Sequence, residues 1–93
     1  MLRITVDKNG SSYRLKLAGR LGGPWVPETK KAWRSLLRSG NQIEIDMKEL
    51  TAVDGDGHEL LVAMHQAGAR LVAQGVEMTA LVEEIAGKQP PVV

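Results

Sequence analysis

The sequence predicts an α/β domain in which helices pack on a four-stranded mixed sheet, in the order β-β-α-β-α-β with a short last helix. Two alternating apolar–polar segments around a turn open the chain, as in a β-hairpin. Two amphipathic helical segments follow, and each leads into a further alternating segment. A strand–helix–strand succession joins parallel strands, whereas a hairpin joins antiparallel ones, so the sheet is expected to be mixed.

The first half of the chain contains the predicted hairpin. Leu2, Ile4 and Val6 alternate with polar residues, Asn9-Gly10-Ser11 is a turn signal, and residues 13–17 alternate again. Residues 19–24 hold three glycines and a proline, and they are predicted to form a loop.

Two helices are predicted after this loop. The first begins near Pro27, which suits a first helical turn, and ends at Gly40. Its apolar stripe consists of Ala32, Trp33, Leu36 and Leu37, and its other side carries Lys30, Lys31, Arg34 and Arg38. The second helix is predicted from about Gly57 to Gln74, with Gly75 ending it.

Strands are predicted at residues 43–47 and 76–80, followed by one helical turn at 83–86. Residues 1–87 form the predicted single domain and residues 88–93 a loose tail.

Composition excludes several classes of function. The 93 residues are 43% hydrophobic and 25% charged, which is ordinary for a folded soluble domain. A net charge of +1 argues against bulk nucleic-acid binding, and the lack of cysteine excludes disulfides and zinc–thiolate sites. Arg3 and Asp7 interrupt any signal-peptide core, and no apolar segment is long enough to span a bilayer. We therefore expect a cytoplasmic protein without membrane insertion.

The segment Val53-Asp54-Gly55-Asp56-Gly57 is the main candidate site, because it joins a strand to a helix. A calcium loop would need an oxygen ligand and a glycine where His58 and Glu59 stand. A phosphoryl-transfer aspartate would need a lysine and further acids that the chain has no room to arrange. Asp54 or Asp56 is a favoured N-cap, and a binding surface at the same helix end is compatible with that role. We expect no catalytic residue, no metal and no cofactor.

Histidines and tryptophans add weaker candidates. His58 and His65 lie seven residues apart, whereas a metal-binding pair on a helix lies four apart, so both are predicted to be surface or edge residues. Trp33 belongs to an apolar stripe and is predicted to be core. Trp25 follows a glycine-rich loop, where an exposed tryptophan would be a candidate binding anchor.

The order of these motifs resembles the STAS domain (sulfate transporter and anti-sigma factor antagonist). A strand reading Ile43-Glu44-Ile45-Asp46 leads through Val53–Gly57 to a helix, as in that family. Upstream, Gly19-Arg20-Leu21 precedes the first helix and resembles the family's Gly-x-Leu hairpin ending. The resemblance runs from Leu2 to about Leu81.

The resemblance implies a bacterial signalling protein that binds proteins and regulates transcription by partner switching. In anti-sigma factor antagonists, a kinase-type anti-sigma factor phosphorylates a loop Ser or Thr, and phosphorylation changes binding. The implied partner is therefore an anti-sigma factor of the GHKL kinase type or a related signalling protein. Alternatively, STAS-like domains serve as small subunits that clamp the ATPase of ABC-type lipid transport systems.

This sequence departs from the family at the switch. Asp56 stands at the phosphoacceptor position, Gly55 at the preceding Ser, and Gly22 where an Asp often follows Gly-x-Leu. Aspartate has no hydroxyl, so Asp56 either mimics the phosphorylated state or belongs to a constitutive adaptor. The predicted partner-binding residues are Arg20, Gly22, Trp25, Asp54, Gly55, Asp56, Gly57 and His58.

Overall fold

Four strands and three helices occupy residues 1–38 and 42–87, which are the residues that the computed structural model describes. The elements are β1 (Leu2–Asn9), β2 (Ser12–Leu21), α1 (Trp25–Leu37), β3 (Gln42–Val53), α2 (Gly55–Gln66), β4 (Arg70–Val72) and α3 (Val76–Gly87). The sheet order is β1-β2-β3-β4, with β1 antiparallel to β2 and the other neighbours parallel. The predicted fold class and element order are confirmed.

The opening hairpin has the predicted turn. Asn9 pairs with Ser12, and Gly10 between them has a φ of 63°, which a glycine adopts without strain. Leu2 of β1 and Leu15 and Leu17 of β2 are buried. The hairpin therefore supplies one edge of the hydrophobic core.

The predicted loop over residues 19–24 was partly wrong, because β2 continues to Leu21. Gly19 permits this path: its φ is 107°, and a side chain there would collide with the carbonyl oxygen of Met1. Helix α1 begins at Trp25, two residues before Pro27. Its predicted end at Gly40 lies outside the described residues, as does the predicted tail at 88–93.

Strand β3 is longer than predicted and contains a bulge that explains Asp46. Lys16 pairs with Asp46 but Ala18 pairs with Glu49, so β3 has one extra residue there. The buried Asp46 carboxylate accepts a 3.0 Å hydrogen bond from the N–H of Lys48. The strand aspartate of the motif thus satisfies a backbone amide of the bulge.

The predicted second helix was too long, because α2 ends at Gln66 and Leu71 and Val72 belong to β4. Gly68 has a φ of 96°, and its N–H donates to the carbonyl of His65 as the helix terminates. Leu71 then pairs with Ile45 at the edge of the sheet.

The predicted strand at 76–80 was also wrong, because these residues begin α3. Met78, Leu81, Val82 and Ile85 are spaced for one helix face, and all pack on the core. The predicted turn at 83–86 is the second half of this 12-residue helix. The alternation at residues 76–80 is typical of a strand, but the apolar residues from Met78 to Ile85 have helical spacing, and the segment forms a helix.

A single cluster of buried side chains fills the space between the sheet and the helices. Its largest fully buried members are Leu15, Leu17, Leu21, Ile45, Met47, Leu61, Met64 and Ile85. No helix in the described residues is long and apolar enough to cross a membrane. Trp33 is buried, as predicted, but its indole Nε1 has no hydrogen-bond partner.

Replacing Trp33 with phenylalanine is expected to change the free energy of unfolding by less than about 1 kcal/mol. An unpaired buried donor costs about 1–3 kcal/mol, and its removal offsets much of the packing lost with the larger ring. Urea denaturation of wild type and Trp33→Phe measures the difference. A loss of more than about 2 kcal/mol would mean that the indole N–H is satisfied in solution.

Candidate functional site

The candidate site lies where β2 and β3 end side by side. Leu21 and Val53 are neighbours in this parallel pair, so the loop after β2 and the turn after β3 meet. The N–H of Asp54 donates to the carbonyl of Leu21 at 3.0 Å. Helix α1 follows the loop and helix α2 follows the turn, so both helices start at this edge.

Asp54 connects the two helix starts. It is the N-cap of α2, with extended backbone (φ −86°, ψ −176°), and its Oδ1 accepts from the N–H of Gly57 at 2.7 Å. Its Oδ2 accepts from the N–H of Gly23 at 2.9 Å. We name these two hydrogen bonds the Asp54 clamp. The predicted capping role is confirmed for Asp54, whereas Asp56 lies in the first turn of α2.

Two glycines allow the clamp to close. A Cβ on Gly22 would lie 2.7 Å from Asp54 Oδ2, and a Cβ on Gly57 would lie 2.5 Å from the Leu21 carbonyl oxygen. Any side chain at residue 22 would therefore displace the carboxylate. The absence of a side chain at Gly22 leaves this space to the Asp54 carboxylate.

Backbone donors stabilise the ionised form of Asp54. The N–H groups of Gly57 and then Gly23 lower the pKa of its carboxyl below the ordinary value of 3.8, against a smaller opposing effect of desolvation. The N–H of Asp56 acts in the same direction. The clamp is thus built for a carboxylate rather than a carboxylic acid.

The pH dependence of stability follows from this lowered pKa. A group with a lower pKa in the folded state stabilises the fold above its unfolded pKa, and the benefit is lost as the pH falls through the folded value. We expect the Tm difference between wild type and Asp54→Asn to shrink below about pH 5 and to vanish well below 3.8. Thermal unfolding from pH 7 downward measures it. A Tm difference that stays constant over the whole pH range would contradict the lowered pKa of Asp54.

The predicted site residues separate into two neighbouring grooves. Arg20, Gly22, Trp25 and Asp54 line an open groove of about 370 Å³ at the ends of β2 and β3. Trp25 is half-buried and packs against the core, so it presents only part of its ring.

The second groove, of about 340 Å³, lies between α1 and α2. Asp56 is exposed there beside Lys30 and Glu59, above the apolar side chains of Val26 and Leu60.

The remaining predicted residues differ in their exposure. Gly57 is buried, and half-buried His58 donates its backbone N–H to the carbonyl of Asp54 at 2.8 Å. Gly55 is exposed, with open space where a side chain would lie. Gly23 donates to Asp54 from the predicted loop, and no local pattern in the sequence indicates this hydrogen bond.

Neither threonine near the two grooves offers a free hydroxyl at the start of α2. Thr29 is fully buried, and its Oγ1 donates to the carbonyl of Trp25 at 2.9 Å. Thr51 Oγ1 donates to the carbonyl of Gly19 at 3.1 Å. Within residues 1–38 and 42–87, no group of three His, Cys, Asp or Glu side chains could hold a metal ion.

The elements and the helix-start site define a small α/β domain with a four-stranded mixed sheet and three helices. A family model described as "Mlab, STAS domain" matches residues 4–87, so the chain belongs to the STAS domain family. The resemblance inferred from the motifs is therefore confirmed. A search among curated protein sequences finds no match.

Solved structures share this fold at low sequence identity. An anti-sigma factor antagonist from Mycobacterium paratuberculosis superimposes with a TM-score of 0.75 at 16% identity, covering 90% of this chain and 82% of that one. The unphosphorylated anti-sigma factor antagonist SpoIIAA gives 0.66 at 13% identity, covering 87% and 82%. A Shewanella loihica protein described as uncharacterized and SpoIIAA-like in fold gives 0.63 at 14%, covering 96% and 80%.

Proposed function

We propose that this protein is a constitutive protein-binding module that acts in bacterial signalling from the cytoplasm. Its proposed docking surface consists of Arg20, Gly22, Trp25, Asp54, Gly55, Asp56 and His58, with the buried Gly57 supporting it in the first turn of α2. The proposed partner is an anti-sigma factor of the GHKL kinase type or a related signalling protein. The observation that carries the proposal is the Asp54 clamp, which holds both halves of this surface together beside an acceptor position without a hydroxyl.

The clamp supports binding because it orders the surface in advance. Gly23 belongs to the loop before α1 and Gly57 to α2, and one carboxylate fixes both. A loop that is already ordered loses little conformational entropy when a partner docks. This ordering supports the proposed docking role.

Asp56 supports constitutive rather than switched binding. Its carboxylate is exposed in the first turn of α2, where the helix dipole favours a negative charge. A phosphorylated serine would carry about −1.5 to −2 charges, and an aspartate carries one that no kinase or phosphatase changes. We therefore favour the adaptor over the phosphomimic.

Replacing Asp56 with serine distinguishes these two interpretations. For an adaptor, we expect the affinity for the partner to change less than about threefold, which is under 1 kcal/mol. We also expect no phosphate on Asp56→Ser after incubation with the captured kinase and Mg-ATP. Calorimetric titration and intact-protein mass spectrometry measure the two results. Binding more than about tenfold tighter, together with phosphorylation, would establish the phosphomimic instead.

A second candidate is a small STAS subunit that clamps the ATPase of an ABC-type lipid transporter. The same observation favours it, because a surface without a switchable hydroxyl suits a permanent subunit as well as an adaptor. Affinity capture from the source cells distinguishes the candidates by the partner recovered. A GHKL-type kinase would support the first candidate, and an ABC ATPase would support the second.

A further inference from the structure

Charge is unevenly distributed over the three helices. Helix α1 and its C-cap carry four cations, Lys30, Lys31, Arg34 and Arg38, against one acid, Glu28. Helices α2 and α3 contain no lysine or arginine, and their acids are Asp56, Glu59, Glu77, Glu83 and Glu84. The helix layer therefore has a cationic side and an acidic side.

The three helices are ordered so that the cations of α1 and the acids of α3 lie at opposite sides of the layer, while Asp56 and Glu59 of α2 line the groove that Lys30 also lines. Helix α2 contacts both α1 and α3, which places α1 and α3 on the outside of the layer. On α1, Thr29, Trp33 and Leu36 face the core, whereas all four cations are exposed. On α3, Glu77 and Glu83 are exposed while Ile85 is buried.

The cations of α1 form no ion pair within the described residues, although Lys30 lines the same groove as Asp56 and Glu59. Arg14–Glu44 and Lys16–Glu49 are ion pairs, but both join β2 to β3 and involve no residue of α1. Lys30 and Arg34, and likewise Arg34 and Arg38, are like charges four residues apart, a spacing that destabilises an isolated helix. An acidic surface placed over α1 would relieve this repulsion.

We propose that two copies of this chain associate through their helix layers about a two-fold axis that runs along the helices. That axis places α1 of each copy opposite α3 of the other, so both α1–α3 contacts join cations to acids. A two-fold axis across the helices would place α1 against α1 and oppose like charges. A symmetric dimer needs one self-complementary surface, and this layer supplies both signs.

A dimer interface of standard size would occupy a modest part of the surface of this chain. A standard interface buries about 800 Å² per partner. That is about 13% of the 5976 Å² surface of this chain, whose largest extents are 37 and 29 Å. On α2, Ala63 is exposed beside the α1 side of the layer, and a side chain this small allows close approach. The dimer depends on neither candidate partner.

Sedimentation equilibrium of charge-reversed variants tests the dimer. The variants are Lys30→Glu with Arg34→Glu on α1, and Glu77→Lys with Glu83→Lys on α3. The matched control is Arg3→Glu with Arg70→Glu, which changes net charge as the α1 variant does. Arg3 and Arg70 are exposed strand residues. Their neighbours Leu2 and Leu71 pack on the core, so Arg3 and Arg70 point to the face of the sheet away from the helices.

At low ionic strength, the wild type and the control are expected to approach twice the 10.1 kDa chain mass as concentration rises. Each helix variant alone is expected to stay monomeric, because both contacts then oppose like charges. An equimolar mixture of the two is expected to dimerise again, since every contact regains opposite charges. About 1 M salt, with a Debye length of about 3 Å, is expected to weaken the dimer.

A wild type that stays monomeric up to millimolar concentration overturns the proposal, as does a mixture that fails to associate. If that monomer bound phosphatidylserine vesicles, and the Lys30→Glu and Arg34→Glu variant did not, the cationic side would be a membrane-binding surface instead. A dimerisation constant of the α1 variant equal to that of the wild type would also overturn the proposed dimer.

Discussion

Replacing Gly57 with alanine is expected to lower the free energy of unfolding by roughly 2–3 kcal/mol, as an overpacked core does. Gly57 is buried in the first turn of α2, and an added Cβ would lie 2.5 Å from the Leu21 carbonyl oxygen and 3.1 Å from Val53 Cγ1. The Leu21 carbonyl cannot retreat freely, because it accepts the N–H of Asp54. Relief requires moving α2 away from the ends of β2 and β3.

The matched control for this prediction is Gly55→Ala, the same change two residues earlier in the same helix. Nothing lies within 4 Å of a Cβ on Gly55, so alanine there is expected to be neutral or stabilising by up to about 1 kcal/mol. Urea denaturation of both variants measures the contrast. Equal stability of the two would contradict the close approach of α2 to β2.

Replacing Asp54 with alanine is expected to release the loop before α1 while the sheet stays folded. The N–H groups of Gly23 and Gly57 then lose their acceptor, and both amides are expected to exchange with solvent at least about tenfold faster. Partner binding is expected to weaken by a similar factor, because the docking surface must order on association. Hydrogen exchange followed by NMR measures the first effect.

The informative comparison is Asp54→Asn, because asparagine retains one acceptor oxygen and can still cap α2. In this variant we expect the Gly57 amide to remain protected and the Gly23 amide to exchange faster. Unchanged protection of Gly23 in both variants would show that the clamp does not hold the loop in solution.

The first half of the fold was predictable because local signals agree there. Leu2, Ile4 and Val6 alternate up to a turn that needs Gly10, and the two strands pair with their immediate neighbour. After Gln66, the signals conflict. Gly68 ends α2, yet the apolar residues Leu71 and Val72 continue its helical spacing and were assigned to it instead of to β4.

The capping aspartate could be predicted from the sequence, but its second role could not. An N-cap is a local feature, visible in the residues around Asp54. The hydrogen bond to Gly23 joins residues 31 apart, and it exists because β2 and β3 end together. For the same reason, the half-burial of Trp25 depends on packing that spacing alone does not show.

The central claim is that the docking surface at the starts of α1 and α2 binds a protein partner without a phosphorylation switch. Quantitative affinity capture with wild type, Asp56→Lys and Asp7→Lys tests it most directly. Asp7 is exposed and pairs with Arg14, at the end of β2 remote from Leu21, so it provides the same charge change away from the site.

We expect wild type and Asp7→Lys to capture the same kinase or ABC ATPase, equally with and without Mg-ATP, and Asp56→Lys to lose it. Capture unaffected by Asp56→Lys, or abolished for the wild type by Mg-ATP, would contradict the claim.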